Sequence, residues 1–325
     1  MRIARRTVLS GILASPLAGR AWAAAAPIRI GVLRFGTVSW EVDVIRRHGF
    51  DTEAGIAIEP VELAGAQATQ VALQAKDVDM IVVDWLWVSR QRAAGADWTF
   101  TPFSNSVGAV MIAADSPIRS IPDLAGKRLG IAGSPIDKSW LILRAYAQRK
   151  FALDLDAQVE KSFAAAPLLD QELKAGRLDA ALTYWPFAAK AEAAGMRQLL
   201  AVEDAIAGLG IGAVPIVGYV FSEHWAEANS TAVDGFLGAV KRARDLLAHD
   251  DAEWQRLAPI MGAGNAAEQA RLVGWYRRGI PQRWGETERR AADQLYQLLA
   301  ETGGPALVGS DKGLAPGTFW PTAAL

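Results

Sequence analysis

The sequence has no cysteine and only three histidines among its 325 residues. The absence of cysteine excludes disulfide bonds, thiol nucleophiles, cysteine-ligated zinc and iron–sulfur clusters. His48, His224 and His249 are scattered without the spacing of metal ligands, and we interpret each as a helix-surface residue. We therefore expect neither a metal nor another cofactor.

Strong charge and long apolar runs are also missing. With 34 basic and 35 acidic residues the net charge is −1, so no field attracts nucleic acid and we expect no such partner. Beyond the N-terminus no run reaches the roughly 18 consecutive apolar residues of a transmembrane helix. The G-x-S-x-G, Walker A and H-E-x-x-H motifs are absent, and we do not expect the protein to be an enzyme. The length suits two lobes, because single cores stop growing at about 250–300 residues.

Residues 1–26 are predicted to be a cleaved export signal. Several arginines are followed by an apolar stretch over residues 7–17 that is too short to span a bilayer, and then by the small-x-small cleavage pattern Ala21-Trp22-Ala23. The order Arg5-Arg6-Thr7-Val8-Leu9 resembles a twin-arginine signal, whereas Ala4 and Ser10 depart from it. Twin-arginine and general secretion both stay open as export routes.

Cleavage would leave a mature chain of 30 basic and 35 acidic residues, with a net charge of −5. A chain without cysteine cannot carry a lipoprotein anchor at the cleavage site. An exported protein without an anchor is retained only behind an outer membrane. We therefore expect the periplasm of a Gram-negative cell.

Short apolar strands alternate with helices of 10–12 residues through most of the mature chain, which is typical of parallel α/β sheets. Two such units, with the long strands 107–113 and 215–221 passing between them, predict an α/β fold of two lobes joined by two crossover strands. We assign 27–112 plus 218–325 to the first lobe and 113–217 to the second. The C-terminal helices are expected to return to the first lobe.

Three segments resemble a known family. Lys76–Val83 resembles its helix–(D/G)-x-D–strand segment, and Ser116–Ile131 matches its SPI-x-S-x-x-DL-x-GK hallmark. Leu173–Leu182 adds the L-x-x-G-x-(L/I/V)-DA-x unit. These segments resemble solute-binding proteins of ABC importers, in the branch that handles nitrate, sulfonates, taurine and thiamine-pyrimidine precursors. The similarity extends over roughly residues 27–250.

The resemblance implies a bilobed type II periplasmic-binding-protein fold. It further implies a monomer that closes on a small-molecule ligand and delivers it to a membrane permease with its ATPase. Eukaryotic thiamine-pyrimidine synthases share this architecture but carry a cysteine-rich iron site, which this chain cannot build. A sensor or accessory protein that uses the same cleft without a transporter is the competing interpretation.

Ligands of open α/β sheets bind beyond the carboxyl ends of strands, where loops meet helix N-termini. Small residues there let backbone approach a ligand, and hydroxyls and N–H groups offer donors. The same residues could instead be helix caps and core aromatics. The candidate ligand-binding residues are Gly36, Thr37, Ser39, Trp40, Gly65, Asp84, Trp85, Ser134, Ser139, Trp140, Tyr184 and Trp185.

Tryptophan is abundant, with twelve residues, and five of them lie at or beside these loops: Trp40, Trp85, Trp87, Trp140 and Trp185. Aromatic walls with a few polar groups suit a small, flat or apolar ligand with one polar handle. We therefore expect that loss of Trp140 or Trp185 weakens binding without unfolding the protein.

The identity of the ligand stays open at this point. Asp84 between two indoles favours an amine or a heterocycle such as a pyrimidine, whereas helix starts rich in glycine and serine suit a sulfonate. Arg34 and Lys138 are the only cations in the strand-end loops that carry these candidates, which disfavours a bare inorganic anion such as nitrate.

Overall fold

The structure is a computed structural model that describes residues 27–33, 36–304 and 313–321. The predicted export signal lies outside these residues. The described chain forms two five-stranded mixed sheets, each covered by helices. Within the described ranges, no helix is both long and apolar enough to cross a membrane.

The first sheet has the strand order β2-β1-β3-β10-β4. Its first three strands run parallel, and β10 (Val217–Ser222) is antiparallel to both of its neighbours. The elements of this first unit are β1 (Ile28–Leu33), α1 (Val38–Arg47), α2 (Phe50–Glu53), β2 (Ile58–Leu63), α3 (Ala66–Gln74), β3 (Met80–Asp84), α4 (Trp85–Ala93) and β4 (Trp98–Ser104).

The second sheet has the order β7-β6-β8-β5-β9, which repeats the pattern of the first with β5 in the place of β10. A short 3₁₀ helix, Ile121–Leu124, precedes β6. The elements are β5 (Gly108–Ile112), β6 (Arg128–Ala132), α5 (Lys138–Phe151), α6 (Leu155–Gln158), β7 (Glu160–Ala164), α7 (Ala166–Lys174), β8 (Ala180–Tyr184), α8 (Trp185–Ala193), β9 (Arg197–Ala201) and α9 (Val202–Gly208).

The chain passes between the sheets at residues 105–107 and 209–216. β5 pairs in the second sheet, although the division at 112 drawn from the sequence assigns it to the first lobe. Two glycines permit the tight backbone contact beside these passages. A Cβ on Gly108 would lie 2.1 Å from the carbonyl oxygen of Thr183, and one on Gly218 would lie 2.2 Å from that of Thr101.

Strand β4 was not predicted from the sequence. Pro102 in its middle argues against a central strand, because proline cannot donate to the ladder. The structure places β4 at the edge of the first sheet, where a proline is tolerated.

The C-terminal helices divide between the two units, whereas the sequence predicted that they return to the first. Helix α11 packs on α1 and α2, while α13 packs on α8 and α14 packs on α5 of the second unit. The elements are β10 (Val217–Ser222), α10 (Glu223–Ala228), α11 (Ser230–His249), α12 (Asp251–Leu257), the 3₁₀ turn Ala258–Ile260, α13 (Ala266–Gly279) and α14 (Glu286–Gly303).

The two units share one ion-pair arrangement about 100 residues apart. Arg29 at the start of β1 donates to Asp79 from its backbone N–H (2.8 Å), its Nε (3.0 Å) and its Nη2 (2.7 Å). Arg128 at the start of β6 makes the same three bonds to Asp179, at 2.8, 3.1 and 2.8 Å. Each pair joins neighbouring parallel strands at the end of the sheet where β1 and β6 begin.

Glu41 on α1 is the carboxylate at the centre of the first unit, with only 1% of its surface exposed. Its Oε1 accepts from Arg244 Nε on α11 (3.0 Å) and from the Tyr276 hydroxyl on α13 (2.6 Å). Its Oε2 accepts from the Tyr219 hydroxyl on β10 (2.6 Å). Burial alone would lower the pKa of Arg244, but the Glu41 carboxylate outweighs it and raises that pKa.

Glu41→Gln should lower the free energy of unfolding by about 3–5 kcal/mol, because it leaves the buried Arg244 guanidinium without its counter-charge. Urea unfolding followed by circular dichroism measures this loss.

The matched control is Glu53→Gln. Glu53 on α2 pairs at 2.6 Å with Arg242 on α11, the helix that also carries Arg244, but 61% of the Glu53 side chain is exposed. The control should cost less than about 1 kcal/mol. Equal losses in the two variants would contradict the central role of Glu41.

Candidate functional site

The largest described cavity that touches both units is a cleft of about 920 Å³. The N-cap residues of five helices line it, three from the second unit and two from the first. They are Gly65 (α3), Asp84 (α4), Asp137 (α5), Ala165 (α7) and Tyr184 (α8). Each of these helices follows a strand, so the cleft lies at the carboxyl ends of the strands, as expected for an α/β sheet.

Two of the five helices are capped by carboxylates. Asp84 accepts from the Trp87 N–H (2.9 Å), and Asp137 accepts from the Ser139 N–H (2.9 Å). The other three, α3, α7 and α8, start at Gly65, Ala165 and Tyr184 without a side-chain cap. At α3 and α7 the uncapped N-termini and the positive end of the helix dipole favour a negatively charged group. At α8 the Trp185 backbone N–H already donates to the Val107 carbonyl, and Pro186 has no N–H.

An ion pair crosses the cleft between the units. Lys138 Nζ, at the start of α5, lies 3.5 Å from Asp84 Oδ2, and 17% of the lysine side chain is exposed. Burial acts to lower the pKa of Lys138, but Asp84 and Asp137 outweigh it, and the pKa is raised. The amine that the sequence led us to expect beside Asp84 is thus supplied by the chain itself.

Tyr184 extends the polar side of the cleft. Its hydroxyl donates to Asp137 Oδ2 at 3.4 Å. Burial, together with the Asp137 carboxylate, raises the pKa of Tyr184 to about 12. The phenol therefore stays protonated near neutral pH and acts as a hydrogen-bond donor.

Four of the sequence-derived candidates line the cleft, namely Gly65, Asp84, Ser134 and Tyr184. Four tryptophan candidates lie in the core instead, with 0–7% of their surface exposed: Trp40, Trp85, Trp140 and Trp185. None of the four is among the residues that line the cleft. The expectation that aromatic rings of these residues form its walls is therefore not met by the described geometry.

These tryptophans occupy equivalent positions in the two units. Trp40 and Trp140 are the third residues of α1 and α5, and Trp85 and Trp185 are the first residues of α4 and α8. All four rings are buried in the core.

Trp85 and Trp185 also hold the two passages between the sheets. The backbone N–H of Trp85 donates to the Ile216 carbonyl (3.3 Å), and the backbone N–H of Trp185 donates to the Val107 carbonyl (3.1 Å). The Trp185 ring meets the Trp40 ring edge-on, with centroids 6.0 Å apart. These contacts join the two units and the passages between them.

The remaining candidates also lie away from the cleft lining. Thr37 is buried, and the Ser39 hydroxyl donates to the Gly36 carbonyl (2.6 Å), which closes the turn before α1. The Ser139 hydroxyl is buried without a hydrogen-bond partner among the described residues. Arg34 of the same first loop lies outside the described residues.

Sequence reasoning missed several residues of the cleft, notably Gln67, Gln70, Trp87, Arg90 and Ile136. Gln67 lies in the loop of the candidate Gly65 but was not itself chosen, whereas Gln70 and Arg90 lie in the second turns of α3 and α4, beyond the strand-end loops. Trp87 was noted beside its loop but not included as a contact. A helical wheel drawn from each N-cap would have brought these positions toward the same cleft, and Arg90 adds a cation that the loop count lacked.

The described part of the chain contains no cluster of three or more histidine, cysteine or acidic side chains that could hold a metal ion. The polar groups of the cleft include amides, a serine hydroxyl, an indole, a phenol, two cations and two carboxylates. Such a set suits hydrogen bonding and ion pairing with an organic ligand.

The fold is similar to that of several solved structures. The structure superposes on the alkanesulfonate-binding protein SsuA from Xanthomonas axonopodis pv. citri bound to MOPS with a TM-score of 0.70 and 20% identity, covering 92% of this chain and 99% of that one. It superposes on the periplasmic aliphatic sulphonate binding protein SsuA from Escherichia coli with a TM-score of 0.73 and 19% identity, covering 92% and 93%. No curated protein matches the sequence.

The fold is therefore that of the bilobed type II periplasmic binding proteins, as the sequence predicted. A family model described as NMT1/THI5 like matches residues 44–253. The chain belongs to the NMT1/THI5-like family, which confirms the resemblance to the branch of solute-binding proteins for sulfonates, nitrate and thiamine precursors.

Trp140→Ala should now destabilise the protein, because it opens a cavity in a core where the ring is 1% exposed. We expect a loss of about 3–5 kcal/mol in the free energy of unfolding, measured by urea denaturation. The control Leu168→Ala removes a side chain that is 49% exposed and should change stability by no more than about 0.5 kcal/mol. A stable Trp140→Ala protein with weakened ligand binding would restore the interpretation drawn from the sequence.

Proposed function

We propose that the protein is the periplasmic substrate-binding component of an ABC import system. It captures a small organic solute in the interlobe cleft and delivers it to a permease and its ATPase. The observation that carries this proposal is the convergence of five helix N-termini, from both units, on one cleft crossed by the Asp84–Lys138 pair. Family membership supports the solute-binding role.

The helix N-termini of the cleft favour a ligand with an anionic head. Lys138 and Arg90 balance Asp84 and Asp137, and the uncapped N-termini of α3 and α7 add partial positive charge. Both carboxylates already accept from their own helices. A sulfonate, with three acceptor oxygens, can take up the N–H donors that remain.

The other part of the lining favours an organic body on that head. Leu86, Trp87 and Ile136 contribute apolar surface, and Tyr184 contributes an aromatic ring with a donor hydroxyl. A bare inorganic anion would leave this surface unused. We therefore propose an aliphatic or aromatic sulfonate as the ligand class, with a heterocycle such as a pyrimidine as the second candidate.

Closure follows from contacts with both units. Asp84 and the α3 N-terminus belong to the first unit and Lys138 to the second, and all three line the cleft, so one ligand can contact both units. A ligand that contacts both units binds the closed form more tightly and shifts the population toward it. The closed form would then dock on the permease.

Lys138→Gln should weaken the binding of a sulfonate such as butanesulfonate by about 10–100-fold, since a hydrogen bond to a charged group contributes roughly 1.5–3 kcal/mol. Isothermal titration calorimetry measures the affinity. The control is Lys174→Gln, which alters a surface lysine paired with Asp170 on α7 and should leave the affinity unchanged. Equal affinity in Lys138→Gln would contradict the sulfonate proposal, and saturable binding of a pyrimidine instead would favour the heterocycle.

Uptake distinguishes an importer from a sensor. Cells that lack this protein should lose high-affinity uptake of the labelled ligand and regain it when the wild-type chain is supplied. A sensor that uses the same cleft would alter gene expression in response to the ligand and leave uptake intact. That second result would overturn the importer proposal while leaving the cleft assignment in place.

A further inference from the structure

A second cavity, of about 450 Å³, lies beside the two passages between the sheets. Its walls include Asn105 and Ser106 from the first passage and the segment 211–214 from the second. Strand β9, with Gln198 and Ala201, and helices α9 and α13 complete it. It shares no lining residue with the interlobe cleft, so it is a separate site.

Two acceptor oxygens in this lining are buried without a hydrogen-bond partner among the described residues. They are Oε2 of Glu203 on α9 and Oδ1 of Asn105. The other carboxylate oxygen of Glu203 accepts from the Val107 N–H at 2.6 Å, which fixes the orientation of the side chain. Buried polar groups in folded proteins normally have partners, so two unmatched acceptors in one cavity point to a donor from a ligand or water.

The charges of the cavity favour a cation. Glu203 and Asp204 contribute two carboxylates, and Arg278 contributes one guanidinium. Arg278 lies over the Trp275 ring, with Cζ 4.3 Å from the centroid, and is exposed. Burial, with a smaller contribution from Asp204, raises the pKa of Glu203 to about 7. A cation bound at Glu203 would relieve the cost of that buried charge.

Apart from Ser106 and Gln198, the remaining wall is largely apolar. Ile206, Ile211, Val214 and the buried Trp275 provide hydrocarbon and aromatic surface. A metal ion or an inorganic cation would leave this surface unused, and a neutral hydrocarbon would leave both acceptors unpaired. An ammonium group with a hydrocarbon body satisfies both parts of the lining.

We propose that this hinge cavity is a second ligand site that takes a small organic ammonium, which donates hydrogen bonds to Glu203 Oε2 and Asn105 Oδ1. The carbon body of the ligand packs against Ile206, Ile211 and Val214. The site does not depend on the importer proposal, since no residue of the cleft takes part. Because both passages line it, a ligand here also bears on the relative position of the two units.

The test uses benzylamine as the probe and benzyl alcohol as its neutral isostere, titrated at pH 8 by calorimetry and thermal shift. The wild-type protein should bind benzylamine saturably and the alcohol at least tenfold more weakly. Glu203→Gln, which keeps an acceptor for the Val107 N–H, should weaken benzylamine binding at least tenfold with an unchanged melting temperature in the absence of probe.

A surface control tests whether the effect is specific to this site. Glu172→Gln, a change in a surface pair with Arg177, should not alter benzylamine binding. A crystal structure with benzylamine should show the nitrogen at Glu203. Absence of saturable binding, equal binding by Glu203→Gln, or a crystal structure with only an ordered water on Glu203 would overturn the proposal.

Discussion

The buried carboxylate of Glu41 is the constraint on which much of the architecture depends. A charge with 1% exposure is tolerated only where it is paired and fully hydrogen-bonded, and Glu41 obtains its partners from β10, α11 and α13. These three elements come late in the chain, whereas α1 comes early. The requirement to satisfy one side chain therefore ties α11 and α13 to α1 of the first unit. Because α13 also packs on α8 of the second unit, the same network bears on how the two units meet.

Residues that line the cleft are directly adjacent in sequence to residues that bond to the passages between the sheets. The first residues of α4 and α8 bond to the passages through their N–H groups, while the N-cap residues immediately before them, Asp84 and Tyr184, line the cleft. A change at the ligand thus lies one residue away from a bond that holds the hinge. This short path gives a physical basis for coupling between ligand contacts and the relative position of the units.

The sequence predicted the architecture well because strand–helix alternation and the strand-end rule depend on local patterns. It also pointed to Gly65, Asp84, Ser134 and Tyr184, which do line the cleft. It could not show whether an indole at a helix start turns toward the sheet or toward solvent, and so it assigned Trp40, Trp85, Trp140 and Trp185 to the ligand. The offset of 100 residues between Trp40 and Trp140, and between Trp85 and Trp185, was the available signal. Residues repeated at the same place in two units are expected to serve the fold that the units share, whereas ligand contacts are expected to differ between them.

The repetition of equivalent strands and helices in the two units bears on how a ligand would be oriented in the cleft. Equivalent helices approach the cleft from both units, so the backbone alone offers similar surroundings to the two ends of an elongated molecule. The side chains at equivalent positions break this equivalence: Asp84 in one unit corresponds to Tyr184 in the other, and Gly65 corresponds to Ala165. We therefore expect the orientation of a bound molecule to depend on these few substitutions on a repeated scaffold, so that exchanging them would change the orientation without any change in fold.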